Sequence, residues 1–153
     1  MAASRPNGQK TAYWGVPWEE GYGYPQARQV GNEIYVSGQF NHDEDGNLVA
    51  PAPLDSKGKP RDFSAMGKQM RTAYDNIAKL LALYGATLED VVEETLYVLD
   101  MDAAFAVAGS VRKAAYGTEH PQCASNIIGV SRLAQRPQLI EIACKAVIGA
   151  RAD

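Results

Sequence analysis

Apolar residues along the chain follow two rhythms. Between Ala27 and Phe40, ARQVGNEIYVSGQF places two short β-prone runs either side of Gly31-Asn32, a hairpin signal. From Ser64 the period becomes helical. Met66, Met70, Ala73, Ile77, Leu80, Leu81 and Tyr84 recur along one face, with Ser64 placed to cap the start and Gly85 at the position that ends it. DVVEETLYVLD (90–100), rich in β-branched and aromatic residues, reads as a strand. Asp100 or Asp102 then caps a second helix to about Tyr116, with Ala104, Phe105, Ala108, Val111 and Ala115 on one face and Gly117 closing it. CASNIIGVSRL (123–133) and LIEIACKAVI (139–148) are the last strands, separated by a turn at Gln135-Arg136-Pro137. The predicted order is β-β-α-β-α-β-β, with room for one short strand near Leu48.

The intervening stretches are polar or rich in Gly and Pro. Residues 1–12 are expected to be a flexible tail of a single domain spanning 1–153. In YWGVPWEEGYGYPQ, Gly and Pro predict a loop without a regular helix. Its rings (Tyr13, Trp14, Trp18, Tyr22, Tyr24) then lie over a core or an interface, or in one or two cases line a ligand. HDEDGN (42–47) reads as a turn and 50–62 as an exposed loop. Two helices can cover only one face of such a sheet, yet the strands are nearly continuous apolar runs, as in sheets buried on both faces. A symmetric oligomer is the expected cover for the second face.

Composition narrows the function classes. The 153 residues fit one domain, and 46% hydrophobic with 22% charged residues is ordinary for a globular protein. A net charge of −3 lacks the basic footprint of a nucleic-acid binder. The two cysteines, Cys123 and Cys144, form no CxxC pair, and with only His42 and His120 there is no zinc-ligand spacing. No signal-like apolar segment opens the chain and no run approaches eighteen apolar residues, so a cytoplasmic protein with no membrane partner is expected.

Candidate chemistry centres on Glu141. In an extended strand it shares a face with Ala143, Lys145 and Val147, while Ile140, Ile142, Cys144 and Ala146 share the other. Lys145 lies about 13 Å along the strand, too far to pair with it. Glu141 either reaches solvent at an edge or is half-buried. Burial would raise its pKa unless donors hold it ionised, and such a carboxylate suits proton transfer to and from water. His42, in an acidic turn, is expected to be exposed, His120 to sit in a loop, and Cys144 to be a small core residue.

GNEIYVSGQ (31–39), YGATLEDVVEETLYVLDM (84–101), and GVSRL (129–133) followed by LIEI (139–142) together resemble the Rid family, the reactive intermediate deaminases also called YjgF or UK114 proteins. The likeness runs from about Tyr24 to Ile148. It implies a chorismate-mutase-like α/β (α+β) fold: a single mixed sheet with two helices on one face, assembled as a homotrimer with its sheets facing inward and three clefts between subunits. It also implies hydrolysis of enamines or imines, such as 2-aminoacrylate, to ketoacids and ammonia without a cofactor or metal. Carried over by motif, Tyr24 lines the cleft, Ser37 and the adjacent Gly38 backbone contact the ligand, and Glu141 holds the attacking water.

HPQCASNIIGVSRL (120–133) departs from the family pattern. Ser125 stands where the main branch has an arginine that grips the substrate carboxylate, and Ile127 where it has a cysteine. Losing a charge-assisted hydrogen bond of that kind costs roughly 1.5–3 kcal/mol. The candidates to substitute for it are Arg28, four residues after Tyr24, and Arg61 and Arg71, reaching in from a loop or a neighbouring subunit. Cys123, just ahead of Ser125, is expected near the cleft mouth. Two readings follow. One is an imine or enamine hydrolase acting on a substrate other than 2-aminoacrylate, with Glu141 catalytic and Tyr24, Ser37, Gly38, Ser125, Asn126 and Ile127 binding substrate. The other is a non-catalytic trimer that holds a small metabolite or a partner in the same clefts.

Overall fold

The computed structural model of the protein describes residues 2–152. Its elements run β1 (Thr11–Ala12), α1 (Pro17–Tyr22), β2 (Ala27–Val30), β3 (Glu33–Gln39), α2 (Met66–Ala82), β4 (Val91–Val98), α3 (Met101–Tyr116), β5 (Ala124–Gly129) and β6 (Ile140–Val147). The strands form one six-stranded mixed sheet in the order β1-β2-β3-β6-β4-β5, with β4 and β5 parallel and every other pair antiparallel. The last strand in sequence is therefore central in space.

β6 shows why the sheet has one buried face. Ile140, Ile142, Cys144 and Ala146 are buried together with Ile34 and Val36 of β3 and Leu96 and Val98 of β4. Over them lies α2, whose Met66, Met70, Ala73, Ile77, Leu80 and Leu81 form the stripe anticipated from their spacing. α2 packs across β3 and β6, and α3 packs along α2. Each fully buried aliphatic side chain contributes about 1.5–3 kcal/mol relative to an exposed one. Glu141, Ala143 and Lys145 point to the opposite face beside Tyr35, Thr95 and Tyr97, and neither long helix lies over them.

Several expectations are corrected. The aromatic segment is not all loop, because Pro17–Tyr22 is helical. Pro17 takes the first turn, where no N–H is required, and Gly23 ends the helix at φ +92°. The buried Glu19 carboxylate accepts from the backbone N–H groups of Trp14, Gly15 and Val16 at 2.7, 2.8 and 3.1 Å, which fixes the entry. Residues 1–12 do not trail as a tail. Ser4 bridges Tyr13, β1 pairs with β2 and Ala12 is fully buried; Met1 lies outside the described residues. Ser64 does not cap α2, since its N–H and hydroxyl both donate to Asp62 Oδ1 and the helix starts after Ala65. α3 buries Ala104 and Val111 as anticipated, together with Tyr116, but Phe105 is 64% exposed. Near Leu48 there is a single bridge to His42 and no strand, and β5 ends at Gly129. Among the described residues no helix is long and apolar enough to cross a membrane.

Candidate functional site

A register shift between β3 and β6 prepares the site. Val36 pairs with Cys144 and Gln39 with Ile142, so Ser37 and Gly38 together stand opposite Ala143. This is a β-bulge, a device that re-aims side chains beside functional sites. The shift brings the Gly38 backbone against the Glu141 carboxylate. A Cβ added to Gly38 would lie 2.0 Å from Glu141 Oε1, so any larger residue there would displace the carboxylate from its place.

Glu141 is half-buried, and Gln138 Nε2 donates to its Oε2 at 3.0 Å. Gln138 is fully buried and held in turn, since its side-chain oxygen accepts from the Gln135 N–H at 3.3 Å. Burial pushes the Glu141 carboxyl above the ordinary carboxylate range, and the Gln138 hydrogen bond only partly opposes this. Lys145, on the same face of β6, is committed to Glu33 at 3.0 Å.

Glu141 lines an open cleft of about 640 Å³ with Trp18, Tyr22, Tyr24, Ser37, Gly38, Phe40, Ala134 and Gln135. Burial raises the Tyr24 phenol, opposed by a hydrogen bond with Gln26 and reinforced by the Glu141 charge, so the ring stays a neutral donor at pH 7. The Ser37 hydroxyl donates to the Pro25 carbonyl at 2.8 Å and its N–H to Gln26 O at 2.8 Å, which leaves the oxygen lone pairs for a ligand. A second depression, about 740 Å³, runs past Tyr13, Pro17 and Glu20 and shares Tyr24. The Glu19 carboxylate there is already occupied by three backbone donors.

Buried polar groups hold the walls in place. Asn76 of α2 donates to the carbonyls of Phe40 and His42 at 3.0 Å each. Gln69 donates to Ala50 O and Pro137 O and accepts from the Leu139 N–H, fixing the approach to β6. His42 is not exposed as anticipated; it is 1% accessible and sits among Trp14, Trp18 and Phe40 at centroid distances of 5.5, 5.4 and 4.9 Å. Its Nδ1 lies 2.7 Å from the Asp43 carbonyl, which only accepts, so Nδ1 carries the proton. Burial lowers its pKa, so the ring is a neutral strut of the aromatic wall.

Of the residues singled out in the sequence, Tyr24, Ser37, Gly38 and Glu141 come together in this cleft. Ser125, Asn126 and Ile127 do not, because β5 is the outer strand, two places from β6. Ser125 pairs with Glu94, whose buried carboxylate accepts from Tyr74 and Tyr116 hydroxyls at 2.8 Å each and from Arg112 Nε at 2.5 Å. Arg28, Arg61 and Arg71 are exposed, and none lines the cleft. Cys123 lies beside Tyr116 rather than at the cleft mouth, and burial pushes its thiol up to about 11, far from a reactive thiolate. Cys144 is buried as expected. Sequence reasoning missed Phe40 and Gln138 as neighbours of Glu141. For Trp18 and Tyr22 a signal existed, in Pro17 followed by the acidic pair Glu19-Glu20 and a terminal Gly23. Among the described residues no group of three or more His, Cys, Asp or Glu is placed to hold a metal.

Comparison with known proteins adds kinship to geometry. The family model described as Endoribonuclease L-PSP matches residues 20–148. A RutC family protein of Pyrococcus abyssi is 35% identical over 111 residues, 72% of this chain and 75% of that protein. Rv2704 of Mycobacterium tuberculosis, a member of the YjgF/YER057c/UK114 family, shares the fold at a TM-score of 0.70 and 23% identity, over 95% of this chain and 99% of that one. RidA from the Antarctic bacterium Psychrobacter sp. PAMC 21119 matches at a TM-score of 0.65 and 27% identity, over 82% of this chain and 88% of its own. With its mixed sheet, one-sided helices and matching segment, the chain belongs to the Endoribonuclease L-PSP family, the YjgF/RutC/Rid group.

Proposed function

We propose that the protein is a cofactor-independent imine or enamine hydrolase that releases ammonia, acting on a substrate other than 2-aminoacrylate. The observation that carries this reading is the desolvated Glu141 carboxylate, pressed against Gly38 and fixed by Gln138 in a cleft with the neutral Tyr24 phenol. An enamine first tautomerises to the imine, whose C=N carbon is electrophilic. Glu141 takes a proton from water as its oxygen bonds to that carbon. It then returns the proton to nitrogen, giving a carbinolamine. Glu141 next carries the hydroxyl proton to the amino group, the C–N bond breaks as the C=O bond forms, and ketone or aldehyde and ammonia leave. A raised carboxyl pKa favours both halves of that exchange, because base and conjugate acid are then closer to balance near neutral pH. Tyr24 donates to the substrate and Ser37 accepts from it.

The cleft works between copies of the chain. In a homotrimer, Ser125, Asn126 and Ile127 on the outer strand of one copy complete the cleft of the next with neutral groups. The family's name cites an endoribonuclease, but RNA phosphates require cations, and among the described residues none lines this cleft.

A non-catalytic metabolite-binding trimer is the second reading, favoured by Ser125 in place of the arginine. A mere binding cleft gains nothing from a destabilised carboxylate. The test is ammonia release from a panel of imines generated in situ. Glu141→Gln should lower the rate by about 10²–10⁴-fold, the usual contribution of a general base. Should a compound stabilise the trimer, by about 2.7 kcal/mol at a hundred times its Kd, while no imine reacts faster than in buffer, the binding reading stands instead.

A further inference from the structure

We infer that this cleft selects imines bearing an aromatic or similarly flat apolar group and no carboxylate, a specificity that rests on the proposed hydrolase reading and is set by the rings of α1. The cleft has four aromatic walls, Trp18 and Tyr22 from α1 with Tyr24 and Phe40 beside them. Trp18 and Phe40 stand 5.5 Å apart, and Tyr22 meets Tyr24 edge-on at 5.5 Å. Tyr22 is 86% exposed, a large ring offered to solvent beside the catalytic carboxylate. The Trp18 and Phe40 side of the wall is braced before any ligand arrives. Glu19 clamps the segment ahead of α1, His42 wedges Trp18 against Phe40, and Asn76 holds both the Phe40 and His42 carbonyls. These two rings bind flat apolar groups at little cost in side-chain freedom, and Tyr22 adds a ring that can close on them.

Charge selects in the same direction. Among the described residues Glu141 is the only charged side chain lining the cleft, so a carboxylate entering beside it meets like charge and no cation from them. The outer strand that a second copy would bring offers Ser125, Asn126 and Ile127, again without charge. A volume of about 640 Å³ lies within the ~300–1,000 Å³ of sites for drug-sized ligands, well beyond the needs of a three-carbon acid.

The test compares phenylacetamide, phenylacetate and acetamide by isothermal titration against the full chain. Hydrolysis of the imines of phenethylamine and phenylalanine, each formed in situ by an oxidase, is followed in parallel. Phenylacetamide should bind at least tenfold more tightly than either other probe, and Tyr22→Ala, at an exposed position where folding is not at risk, should erase most of that gain. Trp18→Ala should do the same, and Glu141→Gln should narrow the margin over phenylacetate. Equal or tighter binding of phenylacetate, equal binding of acetamide, an unaltered Tyr22→Ala, or no phenylacetamide binding at millimolar concentration overturns the inference. Ammonia release from the phenylalanine imine with phenylacetate preferred would sink this specificity and leave the hydrolase standing. Selective phenylacetamide binding with no turnover would do the reverse.

Discussion

Glu141 is an acid on a strand whose neighbours Ile140 and Ile142 are fully buried, and it keeps only one side-chain donor, Gln138. Its folded pKa is raised above the ordinary value of 4.5 by burial. Between those two values the folded chain holds more protons than the unfolded one, so stability falls as pH rises through that window and stays lower above it. Glu141→Gln keeps an acceptor for the Gln138 amide but cannot ionise. It should be more stable than the parent at pH 7 and lose that advantage below about pH 4.5, as urea unfolding at the two pH values would read. A mutant no more stable at pH 7 would mean that the carboxylate is at ease where it is. Among single residues, Glu141 was legible because a charge interrupted an apolar run. Gln138 was not, since it acts from a turn with no period to reveal it. His42 misled because its acidic neighbours suggested solvent, yet Asp43 turns its carboxylate onto the N–H groups of Asp45 and Asn47 and leaves the ring to the core.

Elements with a strong apolar period were legible and those held by side chain to backbone bonds were not. α2 and the hairpin of β2 and β3 follow from spacing alone. α1 depends on a carboxylate reaching back to three N–H groups, and β1 is two residues long, too short for a pattern. The Glu93-Glu94 pair on β4 illustrates the limit, because nothing in the text says which acid turns inward. Glu94 does, at 1% exposure, joining β4 to α2 through Tyr74 and to α3 through Tyr116 and Arg112. Burial first, and then the Glu94 charge, push both tyrosines upward, so they remain neutral donors. Glu94→Ala strands a guanidinium and two hydroxyls and should cost about 3–5 kcal/mol in chemical denaturation. Glu94→Gln, still an acceptor, should cost less. Equal losses would show that packing, and not the acceptor, holds these elements together.

For the whole molecule, the sheet face that neither long helix covers was foreseen from the two-helix count. Five of the six residues of β5 are exposed, Ile128 and Tyr35 are 45% and 44% accessible, and Glu141 looks to the same side. If three copies close on this face, native mass spectrometry should give three times the 16.5 kDa of one chain. Ile128→Asp should release single chains and abolish ammonia production with them. Undiminished turnover by a monomer would show that each cleft is complete alone.

The irregularity at Ser37-Gly38 also decides where the following residue looks. Through Val36 the even-numbered side chains of β3 face the helices; past the extra position it is Gln39 that does so, fully enclosed. Its oxygen receives the Trp14 indole N–H at 2.9 Å and its amide reaches Gln26 at 2.8 Å. Were β3 to run on as a regular strand over the same residues, the parity would reverse: Gln39 would point outward, the indole would lose its acceptor, and the N-terminal arm would lose that tie to the sheet. The acid's glycine neighbour and the anchoring of the arm thus hang on the same irregularity, and straightening the strand at constant length would undo both.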